Sequence, residues 1–472
     1  MTNTTKYVSF KNHIYIIGFG SIGAGVLPLI LRHIDVAPEQ ITIITADERG
    51  HGEANDYKIA FINHALTREN YRDVLGGRLS KGDFVVNVSV DVSCTALIEL
   101  CQEKGALYID TVVEPWAGYY TDPTLTATQR SNYGLRETAL ALQPKYKNGS
   151  TAVLCHGANP GLVNHFVKQA LLNVAKDTGT DVAKPTSRED WGNLARQLGI
   201  KVVHIAERDT QVSDKPKEVD EFVNTWSIDG FCSEGLQPAE LGWGTHEKAL
   251  PPDGLRHASG SDAAIYLNRP GCTTRVRSWT PLEGPYHGFL ITHNESISIA
   301  DYLTLREDGK VSYRPTCHYA YHPCDAAVLS LHEMNGKNGK QQSRQRLMNE
   351  EIISGIDELG VLLMGNDKGV YWFGSRLSID QARELVPNNN ATSLQVTVAV
   401  LSGMIWAIEN PNRGLVEPEY MDFERVMEIA EPYLGNVVGV WSKWSPLQDR
   451  GVLFPEDIDT SDPWQFKNIR VV

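Results

Sequence analysis

The stretch His13-Ile14-Tyr15-Ile16-Ile17-Gly18-Phe19-Gly20-Ser21-Ile22-Gly23 decides how the first third of the chain folds. Residues 13–17 form a short β-rich run, and residues 24–34 beyond the glycines read as a helix. G-x-G-x-x-G between a strand and a helix has a specific physical meaning. Gly18 allows the tight turn, and Gly20 lets a pyrophosphate approach the backbone. Gly23 lets the helix pack on the strand, while the helix start at Ser21 and Ile22 faces the phosphates. A second strand at 41–45 ends just before Asp47. An acidic residue about 20 positions past the glycines binds the adenosine ribose hydroxyls, which favours NAD over NADP. Arg49, two residues on, keeps NADP open.

Outward from this loop, strands alternate with helices. Strands are expected at 58–62, 83–90, 106–114 and 151–155, and helices at 67–75, 93–104 and 125–142. This alternation predicts an α/β fold with a Rossmann-type, doubly wound parallel sheet. Ligands of such a sheet sit beyond the carboxyl ends of its strands. Four segments lie there: 18–23, 88–91 with Ser89 and Asp91, 110–114 with Asp110, Thr111 and Glu114, and 156–161 with Ala158 and Asn159. They are expected to touch the cofactor, with Glu114 and Asn159 facing the nicotinamide. The plainer alternative is loop polarity, with Asn159 a turn residue before Pro160. Pro28 inside the first helix is an awkward fit, since it removes a hydrogen bond.

The chain has 472 residues and a net charge of −14. That length suits about two or three domains. The charge disfavours nucleic acid and anionic membranes as partners and mildly suits a cationic ligand. No apolar run is expected to approach the roughly 18 residues of a membrane span. Residues 1–10 are polar, without a signal-peptide pattern. The seven cysteines are odd in number and scattered, which suits free thiols in a reducing, cytoplasmic setting. Cys317-His318 and His322-Pro323-Cys324 match no zinc spacing, so no metal site is expected.

From about residue 156 the pattern changes. A helix is expected at 161–174, a polar stretch at 176–190 and a strand at 201–207 ending in Glu207-Arg208-Asp209. Residues 210–260 are rich in Gly, Pro and Trp and read as strands and loops. Trp226 and Trp243 stand there among Glu234 and Glu240. An indole face attracts an organic ammonium ion and a carboxylate pairs with it, so the segment suits a cationic ligand. The alternative places both tryptophans in the core and both glutamates on the surface. A strand at 287–292 ends in His293-Asn294-Glu295, a candidate acid/base pair or an ordinary turn. Residues 352–359 read as a helix end leading into a hairpin, with Asp357 just before it. Residues 390–409 and 423–434 read as helices, the first well buried.

Together these residues resemble a known group. The carriers are Gly-Phe-Gly-Ser-Ile-Gly at 18–23, Asp-Thr-Val-Val-Glu-Pro-Trp at 110–116 and His-Gly-Ala-Asn-Pro-Gly at 156–161. Further carriers are Asn-Thr-Trp-Ser at 224–227, Ser-Glu-Gly at 233–235, Thr-His-Asn-Glu at 292–295 and Asp-Glu-Leu-Gly-Val-Leu-Leu at 357–363. Over essentially its whole length the chain resembles the bacterial, NAD-dependent homospermidine synthases of the saccharopine dehydrogenase-like superfamily. The resemblance implies a redox-neutral use of NAD. Hydride leaves putrescine, the resulting imine reacts with a second diamine, ammonia departs, and the hydride returns to give homospermidine. Spermidine is a further candidate donor. By the same resemblance Trp226 steadies the cationic imine, Glu207 and Glu234 hold the amines, and Glu114, Asn159, His293, Glu295 and Asp357 complete the pocket.

The resemblance also implies a homodimer. An NAD-binding domain is expected from residues 1–155 and about 381–412, and an α+β substrate-binding and dimerisation domain from 156–380 and 413–472. The main rival is a net dehydrogenase of the saccharopine or carboxynorspermidine type, whose carboxylated substrates need Arg or Lys. Arg208 and Arg376 are the residues that could serve one. A non-catalytic, NAD-sensing scaffold is the rival from another class.

Overall fold

The computed structural model describes residues 4–472. Its first layer is a seven-stranded, all-parallel sheet. The spatial order is Leu415–Val416, Ala152–Val153, Leu107–Asp110, Phe84–Asn87, Ile14–Ile17, Ile41–Thr45 and Ala60–Asn63. The central strands are buried on both faces, as helices on both sides of a parallel sheet require. The expected α/β, Rossmann-type class is present. The strand Leu415–Val416 was expected in the second domain. It instead pairs in parallel with Ala152–Val153, so the returning segment serves the first sheet beyond residue 412.

The second layer is an eleven-stranded mixed sheet. At its centre the strand Val202–Asp209 runs parallel to Thr316–His322 on one side and antiparallel to Ile356–Met364 on the other. This triplet matters for function because its register fixes which side chains share a face. Glu207 lies beside Tyr321, and Asp209 lies opposite Asp357.

One helix, Ala391–Glu409, joins the two sheets. It packs along Ser21–His33, touches Leu107–Asp110, and also reaches the strands Ile356–Met364 and Val370–Ser378. Enclosed on all sides, it is apolar all round rather than striped. It starts in a capping box, with Asn390 Oδ1 accepting Ser393 N–H at 2.8 Å. A Cβ on Gly25 would lie 2.5 Å from Asn389 Oδ1, so glycine lets these helices close. With 19 residues the helix is long and apolar enough for a membrane span. This corrects the expectation that no run approaches that length; 89% of its apolar window is buried inside the protein.

Other differences have local causes. The helix expected at 67–75 is a set of turns ending in one wide π-type turn, Arg72–Gly76. Asn70 bonds Thr67 N–H and Ala65 C=O there, in competition with a helix. The helix expected at 125–142 runs only Asn132–Leu140, after the cap Ser131. Residues 352–359 are not a helix end: Ile352–Ser354 and Ile356–Met364 are strands. Burial on both faces removes the period-two signal that would have marked the longer one. The polar stretch before residue 190 runs into an unforeseen helix, Arg188–Gln197, begun by a Ser187/Asp190 capping box. The strand expected at 287–292 stops at Phe289. Pro28 lies inside Ser21–His33, which continues past it.

Candidate active site

The glycine loop makes the first half of the site. Gly18 has φ +85°, and a Cβ there would sit 2.8 Å from the Ser89 backbone. A Cβ on Gly23 would lie 2.6 Å from Gly18 C=O, which makes this glycine the packing contact of helix on strand. Over Gly20 a Cβ would meet nothing within 4 Å. No side chain caps the helix at Gly20, so its first N–H groups stay available to an anion. A cavity of about 820 Å³ opens above this loop. Gly18, Gly20, Ser21, Ile22, Asp47, Ser89 and Asp91 line it, and Ser227, Asp229 and Leu347 close it from the second domain.

Six other residues expected at the cofactor lie off this cavity, Glu114 among them. Gly23 is in the packing contact. Asp110 is buried and ties strand ends together, accepting Cys155 N–H at 2.6 Å and Tyr108 O–H at 2.9 Å. Burial pushes its carboxyl up to about 7. Thr111 packs near Gly157, and Ala158 is buried in the core. Asn159 turns to the second domain, where its amide donates to Glu207 at 3.0 Å. Asp47 lines the cavity with its carboxylate forked onto Arg49 at 3.1 and 2.7 Å. The pair holds Asp47 below its ordinary value and partly neutralises Arg49.

The second half of the site is a row of carboxylates on the central strand triplet. Glu207 Oε2 accepts Asn159 N–H and the Tyr319 hydroxyl. Burial pushes the Glu207 carboxyl up to about 8, while the Tyr319 donor pulls the other way. Asp209 follows on the same face. It is held by Gln211 N–H and Thr225 O–H, both at 2.8 Å, and burial raises it above its usual range. Asp357 faces it across the strand pair and takes Thr392 O–H at 2.5 Å. Its Oδ1 is buried without a partner, and burial beside Glu207 and Asp209 raises it strongly.

Glu114 comes from the first domain. Its carboxylate accepts Asp91 N–H at 3.1 Å and Tyr120 O–H at 3.0 Å, and burial pushes it up to about 7. His293 caps the helix Asn294–Tyr302 and stands between Glu234 at 3.0 Å and Glu295 at 3.2 Å. Burial alone would lower it, but Glu295 and Glu234 outweigh that and hold the imidazole well above its ordinary value. Glu234 sits on the short helix Ile228–Leu236, not on the expected loop; Gly230 and Gly235 disguise this helix in the sequence. Trp226 is partly buried, and its indole N–H donates to the Tyr321 hydroxyl at 2.9 Å. Trp243 is a core residue. Glu240 is neither exposed nor in the row: it accepts Asn132 N–H at 2.8 Å and Thr292 O–H at 2.6 Å.

Among the described residues, no Lys or Arg pairs with the carboxylates of Glu114, Glu207, Asp209, Glu234 or Asp357. Arg208 alternates to the other face of its strand, toward Glu283 and Asp325. Arg376 pairs in register with Glu358, next to Asp357, and one strand position moves a side chain to the other face. Three residues escaped sequence reasoning. Asp209 was readable from its spacing to Glu207, and Tyr319 and Tyr321 from their alternation in Thr316–His322.

The comparisons agree with this layout. Residues 14–153 match the saccharopine dehydrogenase NADP binding domain family, and residues 157–442 match the saccharopine dehydrogenase C-terminal domain family. A homospermidine synthase from Blastochloris viridis is 56% identical, with both chains covered in full. The chain belongs to the homospermidine synthase family. A second family member, from Mesorhizobium japonicum, is 51% identical over 99% of this chain and 98% of its own. The crystal structure of the homospermidine synthase from Legionella pneumophila, in complex with NAD, superimposes with a TM-score of 0.93 at 51% identity, again over both full chains.

Proposed function

We propose that this enzyme joins two putrescine molecules into homospermidine with release of ammonia, using NAD without net redox change. The observation that carries the proposal is the row Glu207, Asp209 and Asp357, buried and unpaired with any Lys or Arg. Unpaired buried charge is costly, so burial favours the protonated forms of these carboxyls and a cation favours their charged forms. A diamine dication is such a partner. A substrate bearing carboxylates would find no Lys or Arg to pair with there, which disfavours the net dehydrogenase.

The first domain fits NAD by its own geometry: open space over Gly20, an uncapped helix start, and Asp47 at the second strand end. Gly18, Gly20, Ser21, Ile22, Ser89 and Asp91 would hold its phosphates and ribose. When bound, NAD supplies reversible hydride acceptance. The chain's own residues do the rest. Glu207, assisted by Asn159, takes the proton that an ammonium must lose before its carbon can be oxidised. Trp226 offers its ring face to the cationic imine. Glu234 and Glu295 keep His293 charged, and with Glu114 it can pass a proton to departing ammonia. The buried site limits water, which protects the imine from hydrolysis.

The division into an NAD-binding and a substrate domain, a cytoplasmic location and a homodimer are carried as part of this proposal. Seven free, buried thiols suit a reducing compartment, and sedimentation tests the dimer. The function itself is tested by mass spectrometry after supplying NAD with putrescine, or with lysine and a 2-oxo acid plus reduced cofactor. Homospermidine and ammonia from the first mixture support it. Product from the second mixture alone would make the enzyme a net dehydrogenase.

A further inference from the structure

The strand Thr316–His322 turns Tyr319 and Tyr321 toward the site, two residues apart on one face. Their rings stack at 4.9 Å between centroids, with planes 13° apart. Each hydroxyl serves a different site residue. Tyr319 O–H donates to Glu207 Oε2, the oxygen that also takes Asn159 N–H. Glu207 Oε1 accepts no hydrogen bond from a described residue, so the carboxylate is anchored through one oxygen and free at the other. Tyr321 lies beside Glu207 in register, and its hydroxyl receives the Trp226 indole N–H at 2.9 Å.

We infer that Tyr319 and Tyr321 are positioning residues for the condensation: Tyr319 aims the free oxygen of Glu207 at the amine, and Tyr321 fixes the plane of the Trp226 indole against the cation. The inference rests on the function proposed above. Fixed geometry matters because misplacement by about 1 Å costs on the order of 100-fold in rate. Neither tyrosine needs to ionise. Burial and the facing carboxylates keep both phenols protonated, so each acts by hydrogen bond alone.

The role of Tyr319 has a signature in pH. Several titratable groups face Glu207. Asp209 stands on its own strand, Asp357 on the next, and His293 lies against Tyr319 with ring centroids at 4.5 Å. Tyr286 approaches from behind, and Arg208 points away. The carboxylates and burial raise Glu207, whereas the Tyr319 donor stabilises its ionised form and lowers it. Removing that donor must therefore raise it further, by about one pH unit for a hydrogen bond to a charged group.

The test uses Tyr319→Phe and Tyr321→Phe in the full-length, NAD-loaded protein, each alone and combined with Glu207→Gln or Trp226→Phe. Homospermidine formation is followed by mass spectrometry from pH 6 to 10, with NAD retention and thermal melting as folding controls. Tyr319→Phe is expected to move the acid limb of kcat/KM up by about one unit and to cut activity at pH 7 about tenfold. It should move nothing in the Glu207→Gln background. Tyr321→Phe should raise KM for putrescine about fivefold, leave the acid limb in place, and add nothing once Trp226 is Phe. A Tyr319→Phe profile that overlays wild type, or a Tyr321→Phe effect that persists in full without the indole, overturns the assignment. Should wild type itself make no homospermidine, the proposed reaction is what fails.

Discussion

Glu207→Gln tests whether the buried carboxyl row trades protons for substrate cations. Glu207 titrates near 8 because burial disfavours its charge. At pH 7, below that value, most of the Glu207 carboxyls hold a proton. An arriving ammonium favours the carboxylate, so the proton must leave. Mixing wild type with putrescine in weak buffer, with a pH indicator in a stopped-flow instrument, should give a fast release before turnover. Glu207→Gln has no such proton, and its release should be smaller. The difference must shrink as pH rises through that value, because Glu207 then loses its proton before substrate arrives. Affinity should fall too. Removing one partner of a buried charge pair costs about 2–5 kcal/mol. Wild type at pH 7 first gives up its proton at about 1.4 kcal/mol, so the low end applies, about 30-fold in KM. Equal proton release by both proteins would refute this account of Glu207.

Three further outcomes follow from the geometry. Trp226→Ala should cut turnover about 30-fold, since a desolvated cation–π contact is worth about 2 kcal/mol, while NAD stays bound; unchanged activity would remove Trp226 from the site. Asp47→Ala should weaken NAD and, by releasing Arg49 from its fork, improve NADP; fluorescence titration showing unchanged NAD affinity would exclude Asp47 as ribose ligand. Arg136→Met should cost about 3–5 kcal/mol in urea denaturation by stranding the buried Glu417 carboxylate, now held at 2.6 and 2.8 Å; a loss below about 1 kcal/mol would mean that Glu417 is not left uncompensated without Arg136.

The dinucleotide loop was legible because its chemistry is local. Gly18, Gly20 and Gly23 each meet a separate steric demand within six residues, and Asp47 follows one strand later. The substrate half is different. Its members come from residues 114, 159, 207, 234, 293 and 357, brought together by the strand triplet and by two helix starts. Periodicity has no access to such contacts: Glu114 and Asn159 were read from strand ends, Glu234 from its tryptophan-rich segment and His293 from its neighbouring Glu295, but their union with Glu207 and Asp357 in one pocket came from the resemblance. Where local signals failed, a competing force can be identified. Glycines at 230 and 235 hid the helix that carries Glu234. Burial on both faces left Ile356–Met364 without a period-two signal, so its first half read as a helix end. Asn159, expected at the nicotinamide from its strand-end position, directs its amide to Glu207, a contact that position alone did not reveal.

In the proposed reaction, hydride leaves and returns within one turnover. The direct measurement supplies purified protein with putrescine and sub-stoichiometric NAD, counts homospermidine and ammonia by mass spectrometry, and follows NADH absorbance at the same time. Many homospermidine molecules per NAD, one ammonia each and no accumulation of NADH are the predicted result. One NADH per product molecule would contradict it.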